Sequence, residues 1–355
     1  MIHNLELTKL KKKYDKFHSI NLKILKEYPS IVVFLMHEFS RNIYPNDPYI
    51  NFKIKNHFIR INKELDNLIN LGKFFLNKKF YDNKKILKKQ NLKHKNLEEK
   101  TGSLYSSLWK KFDINNIDKD AEKIFSKRYF NSFLTKKDFH NKSILDVGCG
   151  SGRYTFAMNK FETKEVIGVD GSAHCVEVAN RLKKQLKKRK VKFYKCSNLE
   201  LNKFFKTKKF DIVLSNGVIH HTSNFKKSLD ELIKITKKNG KILIYIYGAG
   251  GLFWYARKQM RKIFKFIPKD FTINCLENLG MPSDRFIFVD NWYVPIEKHT
   301  TKGEFEKILG KYNLKTFKRI LTSKIVTDLD VAVKKNKKYG KLIWGNGELR
   351  YLLIK

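Results

Sequence analysis

The chain has 355 residues, 42% of them hydrophobic and 14% aromatic, enough for a sizeable core and for one large domain with an appendage or for two domains. Its formal net charge is +41, but no apolar run approaches the roughly 18–20 residues that a membrane span needs. The first 13 residues lack the apolar core and small-residue site of a secretory signal, so a cytoplasmic chain is expected.

The basic residues are 64 Lys against 11 Arg, alongside many Asn, Ile, Phe and Tyr. These residues share A/T-rich codons, whereas recognition of phosphate and bases favours the planar fork of Arg. The excess therefore reads as base composition rather than specific nucleic-acid binding, with weak attraction to polyanions expected at low salt. Four cysteines (Cys149, Cys175, Cys196 and Cys275) show neither paired spacing nor a histidine at zinc-ligand distance. Free thiols and no metal site are expected.

Residues 1–100 read as a helical, Lys-rich region of unassigned role. Leu22, Leu25, Tyr28, Val32, Val33, Leu35 and Met36 recur at helical spacings, as do Phe58, Ile61, Leu65, Leu68 and Ile69. Pro29, Pro45 and Pro48 punctuate the first stretch, and residues 84–100 are Lys/Asn-rich, as in a linker or an exposed helix. Tyr105, Leu108, Trp109 and Phe112 predict an amphipathic helix, and residues 121–133 predict another.

The pattern then alternates. Strands are predicted at 143–147, 165–169, 192–195, 210–215 and 241–247, with helices at 154–160, 172–187 and 228–236 between them. That spacing implies a parallel sheet with helices on both faces. A long aromatic-rich segment follows, with a helix near 302–309 and two late strands near 315–321 and 349–355. The second domain is therefore expected to run from 101 to 355, with 248–309 as an insertion. Phe253, Trp254, Tyr255, Phe264, Phe266, Trp292 and Tyr293 within it would serve as an apolar lid or as plain core. Asp290, Glu297 and His299 add polar groups there without a specific pattern.

The sharpest feature is the run Ile144-Leu145-Asp146-Val147-Gly148-Cys149-Gly150-Ser151-Gly152. An apolar strand carries an acid near its end, and three glycines at alternate positions turn into a helix, allowing a ligand close to the backbone. Asp170, ending the next strand about 20 residues on, suits hydrogen bonding to ribose hydroxyls.

This run resembles motif I of class I S-adenosylmethionine-dependent methyltransferases, especially the broad type 11 group that includes ubiquinone- and menaquinone-pathway enzymes. Val166-Ile167-Gly168-Val169-Asp170-Gly171-Ser172 is similar to motif II, and 210–221 and 237–244 resemble the family's fourth and fifth strands. The resemblance implies a Rossmann-like, doubly wound α/β fold with a mostly parallel seven-stranded sheet closed by a late antiparallel hairpin. It also implies S-adenosyl-L-methionine as cofactor. The donor site would be built from Asp146, Gly148, Cys149, Gly150, Gly152, Asp170, Gly171, Ser215 and Asn216. The third strand departs from the family by leading to Cys196-Ser197-Asn198 rather than to an acid, so Ser197 or Asn198 would meet the adenine. His220 and His221 follow strand four, where ligands bind in open α/β sheets, and are the candidate bases, His220 first; the alternative is that they orient the loop.

The resemblance implies methyl transfer to a small, partly apolar acceptor at oxygen, carbon or nitrogen. Methylation of RNA or another macromolecule, and a donor-binding scaffold without catalysis, remain as rivals because one fold hosts many acceptors. Nothing in the pattern specifies an oligomeric state.

Overall fold

A computed structural model describes residues 2–43, 54–77, 114–187, 190–280, 291–321, 329, 333, 334 and 336–355. The expected helix around Tyr105 and Trp109, the stretch 84–100, Pro45, Pro48 and Asp290 lie outside these residues. The chain divides into two compact units.

The helical unit comprises residues 1–93, 249–293 and 325–347. It contains α1 (Ile2–Ile24), α2 (Pro29–Ile43), α3 (Ile54–Asn77), α9 (Gly251–Phe264), α10 (Lys269–Asn278) and α12 (Lys337–Trp344). Helical spacing puts Tyr14 and Phe17 of α1 on one face, where they meet Phe39 of α2. Trp344 is fully buried and its indole N–H donates to the Ile43 carbonyl at 3.1 Å, while the Trp254 N–H donates to the Trp344 carbonyl at 2.9 Å. These bonds satisfy two polar groups that burial would otherwise penalise.

The sheet unit holds residues 94–248, 294–324 and 348–355. Ala249–Tyr293, taken above as part of an insertion in the second domain, groups with the N-terminal helices. The physical reason is burial: Phe253, Trp254, Phe264 and Trp292 are all buried, and Phe264 stacks on Trp292 at 4.2 Å.

Within the sheet unit, the strands are β1 (Ser143–Val147), β2 (Glu165–Asp170), β3 (Val191–Lys195), β4 (Phe210–Asn216), β5 (Thr236–Tyr247), β6 (Thr316–Arg319) and β7 (Glu348–Ile354). Their order is β3-β2-β1-β4-β5-β7-β6, with β7 antiparallel to both neighbours and the first five strands parallel. The helices are α4 (Ile114–Tyr129), α5 (Arg153–Asn159), α6 (Ala173–Gln185), α7 (Leu201–Phe205), α8 (Phe225–Ile235) and α11 (Lys302–Leu309). All five residues of β1 are buried, as a central parallel strand covered on both faces must be. Ile144 packs with Phe125 and Tyr129 of α4, whereas Leu145 packs on the opposite side with the cluster containing Leu229 and Phe305. The chain reverses its direction of winding between β1 and β4, which opens a crevice at their carboxyl ends. Among the described residues, no helix is long and apolar enough to cross a membrane.

Candidate functional site

That crevice holds a cavity of about 250 Å³. Asp146, Gly148, Cys149, Gly150, Asp170, Gly171, Ser197, Asn198, Asn216 and His221 line it, so the fold brings together most of the residues singled out by sequence.

The glycine turn explains itself sterically. Gly148 has φ +73°, and a Cβ there would lie 2.4 Å from the Val218 side chain. Only glycine satisfies both the left-handed backbone and the close approach. Its N–H and that of Cys149 donate to the Val169 carbonyl at 2.7 and 3.0 Å, tying the turn to the end of β2.

Asp146 is 2% exposed and accepts a 2.6 Å hydrogen bond from the Thr155 hydroxyl. Burial pushes its carboxyl up to about 7, against the pull of the Thr155 bond, and the neighbouring Asp170 pushes it further. Asp170 accepts from the Ser172 N–H at 2.9 Å on one oxygen and from the Gly150 N–H at 3.0 Å on the other. Burial raises this carboxyl too, although both bonds favour its ionised form. Each oxygen keeps a second lone pair, enough for a pair of ligand hydroxyls.

Two residues in the expected donor set, Gly152 and Ser215, and the preferred base fall elsewhere. Gly152 (φ +89°) does not line the cavity; a Cβ there would lie 2.6 Å from the Phe193 ring, so it serves the packing of the turn on β3. Ser215 is fully buried and, by strand alternation, faces away from Asn216, which does line the cavity and accepts from the Tyr129 hydroxyl. Ser197 is at the wall, but its hydroxyl oxygen accepts from the Leu199 N–H at 3.2 Å.

His220, placed first as base above, is fully buried with its ring 4.0 Å from that of Tyr247 and is absent from the cavity wall. The short 3-10 turn Ile219–His221 directs it inward and brings His221 to the cavity instead. His221 Nδ1 lies 2.7 Å from the Ile296 carbonyl, which assigns the ring proton to Nδ1 and the lone pair to Nε2.

Sequence reasoning missed Arg128, near the end of α4, and Arg153 and Tyr154 at the start of α5, all on the cavity wall. Arg128 donates to the Tyr154 hydroxyl at 2.8 Å. The signal available was the rarity of Arg in a Lys-rich chain, together with its place on the helix before β1. Nearby, Arg350 is 2% exposed and ion-paired with Glu348, which also accepts from the Tyr245 hydroxyl at 2.7 Å. Burial alone would raise the Glu348 carboxyl, but Arg350 and Arg128 outweigh it and hold it below the usual range. Cys175 and Cys196 also reach the cavity, and all four cysteines are free thiols. The lid aromatics named above are absent from the cavity wall.

Strand order, glycine turn and paired acids coincide with a match of residues 138–309 to the family described as Methyltransferase domain. Residues 138–309 thus carry a methyltransferase domain. The chain is 33% identical over 163 residues to a tRNA U34 carboxymethyltransferase of Campylobacter curvus, covering 43% of this chain and 53% of that protein. It is 35% identical over 109 residues to a ubiquinone biosynthesis O-methyltransferase of Pelagibacter ubique, covering 30% of this chain and 43% of that protein. The match thus spans about half the length of these curated relatives. Among solved structures, the YcgJ protein of Bacillus subtilis aligns at 17% identity over 62% of this chain and 94% of its own, with a TM-score of 0.38.

Proposed function

We propose that the methyltransferase domain transfers a methyl group from S-adenosyl-L-methionine to a small, partly apolar acceptor at oxygen, carbon or nitrogen. The observation that carries this reading is the pairing of opposite charges in one cavity. Asp146 and Arg128 both line it, an arrangement that fits the ammonium and carboxylate of an amino-acid head. Asp170 then takes the ribose hydroxyls, and Asn198 the adenine amino group. The sulfonium is an activated methyl donor, so the protein's task is to align the acceptor and accept its proton. His221, with its lone pair on Nε2, is the residue of the pair suited to that rim. Ala249–Tyr293, part of the expected acceptor-side insertion, groups instead with the N-terminal helices.

A second reading, methylation of RNA, is favoured by the tRNA-modifying relative and by the net charge of +41. Incubation with methyl-labelled S-adenosylmethionine and either a small-molecule extract or unmodified tRNA separates the two. Label in the extract alone supports a small acceptor. Label in tRNA, with binding that weakens steeply with salt, would replace it with the RNA reading.

A further inference from the structure

β3 stands at one edge of the sheet, paired with β2 alone among the named strands. Its side chains alternate. Val191 and Phe193 pack into an apolar cluster with Phe156 of α5 and Val178 of α6, so Lys192 and Tyr194 face the opposite side. There α7 brings in Phe204, whose ring centroid lies 5.8 Å from that of Tyr194. Tyr194 is 39% exposed and Phe204 44%.

Most aromatic rings of the chain are covered. Among the described Phe and Tyr residues, only Phe74, Phe133, Tyr194, Phe204 and Phe266 stand exposed, and Tyr194 and Phe204 are the two of these that meet. Lys192 and Lys195 flank Tyr194, and Lys206 follows Phe204; all three are exposed and make no ion pair with a described residue. Lys203 is paired with Glu200 at 3.9 Å. Base composition sets how many Lys, Phe and Tyr residues a chain contains, but not which of them folding leaves outside together. Lysines alone would guard an edge strand against pairing with another chain. Exposed rings work against that guard, because they add apolar surface at the edge. Rings with cations beside them match instead the chemistry of unpaired bases on a phosphate backbone: the ring faces stack on bases and the ammonium groups neutralise phosphates.

We propose that Tyr194, Phe204 and the lysines beside them form a docking platform for the unpaired bases of an RNA loop. The ring pair offers room for roughly one or two bases. That suits the short unpaired stretches of folded RNA, whereas duplex DNA keeps its bases inside the stack. The inference goes beyond methyl transfer and does not depend on which acceptor takes the methyl. β3 leads to Ser197 and Asn198 on the cavity wall, but it lies three strands from β4, after which His221 comes. At the usual strand spacing that is about 14 Å. The platform therefore borders the adenine side of the cavity and holds RNA without presenting the methylated atom.

The test uses the full chain and a fluorescein-labelled RNA hairpin with a loop of about seven unpaired A and U residues, read by anisotropy between about 50 and 200 mM salt. A blunt RNA duplex with the same number of phosphates is the comparison probe. The hairpin should bind more tightly than the duplex. Tyr194→Ala and Phe204→Ala should each weaken hairpin binding about tenfold. Tyr194→Leu and Phe204→Leu, which keep apolar bulk without an aromatic face, should do the same. Tyr194→Phe and Phe204→Tyr should stay within about twofold of the wild type, and all these ring variants should keep their melting temperature and donor Kd. Replacing Lys192, Lys195 and Lys206 together with Gln should lower the salt slope by about 2. The same replacement at Lys183, Lys184 and Lys187 removes equal charge elsewhere and should cost less. No RNA binding, equal binding of hairpin and duplex, or unchanged affinity in the alanine variants would each overturn the proposal. Full binding by the leucine variants would refute stacking. Equal losses from the two lysine triples would reduce the platform to the general field of a chain with net charge +41, and a fall in melting temperature that tracks every loss would mark the rings as structural.

Discussion

Asp146 makes donor binding sensitive to pH in a way that can be worked out in advance. Its carboxyl is raised from 3.8 to about 7 by burial. That shift of roughly 3 units corresponds to about 4 kcal/mol against the ionised form, as an order of magnitude. Between about pH 4 and 7 the folded protein keeps a proton that the unfolded chain has released. Stability of the ligand-free protein therefore falls as pH rises across this window and levels off above 7.

Donor binding runs the other way, because the ligand ammonium favours the ionised carboxylate. Affinity should weaken about tenfold per unit below pH 7, and weaken again above about 8, where an α-amino group loses its own proton. Calorimetric titration with S-adenosylhomocysteine from pH 5.5 to 8.5 should thus give a maximum between these limits. In Asp146→Asn the step near 7 should vanish, and affinity at pH 7.5 should fall by about 1.5–3 kcal/mol, the worth of a charged hydrogen bond. The same variant should melt higher than the wild type at pH 8 without ligand, since no buried charge forms. Asp170 is also raised by burial, so a residual acid limb at lower pH is expected in the variant. Flat wild-type affinity from pH 5.5 to 7.5, or a step near 7 that survives in Asp146→Asn, would refute the placement of the ammonium.

Asp170→Ala should weaken donor binding by about 10²-fold, because ribose hydroxyls lose a two-oxygen acceptor; calorimetry reads this directly. Gly148→Ala should destabilise the fold by about 1–3 kcal/mol, since its Cβ would lie 2.4 Å from Val218. Val218→Ala in the same chain should recover part of the thermal stability but not the strain of the positive φ. Glu348→Gln should cost about 3–5 kcal/mol in denaturant titrations by stranding the buried Arg350 guanidinium. His221→Ala should cut methyl turnover more than donor affinity, whereas His220→Ala should mainly lower the melting temperature.

Much of the sheet was legible because its strands and glycine turns obey strong local rules. β1 begins and ends where the apolar run predicts, and α11 spans the residues expected. β5 starts five residues before the expected 241, since its Thr236 end pairs with Phe210 across a register shift that no periodicity announces. The paired acids and the glycine turn were readable because each needs one residue type at one place. The inward direction of His220 was not, because two adjacent histidines look alike until a 3-10 turn separates them. Arg128 also escaped, as its helix precedes the motif by more than a dozen residues and only folding brings it to the cavity. The grouping of Ala249–Tyr293 with the N-terminal helices is a matter of which apolar face finds which, and composition is silent on that.

The most direct test of the central claim is calorimetric titration of the folded chain with S-adenosylmethionine and with S-adenosylhomocysteine in moderate salt. Saturable binding of both near one-to-one, lost or strongly weakened in Asp170→Ala, is the predicted result. Binding of neither, or affinity unchanged by Asp170→Ala, would contradict the assignment of this cavity to the methyl donor.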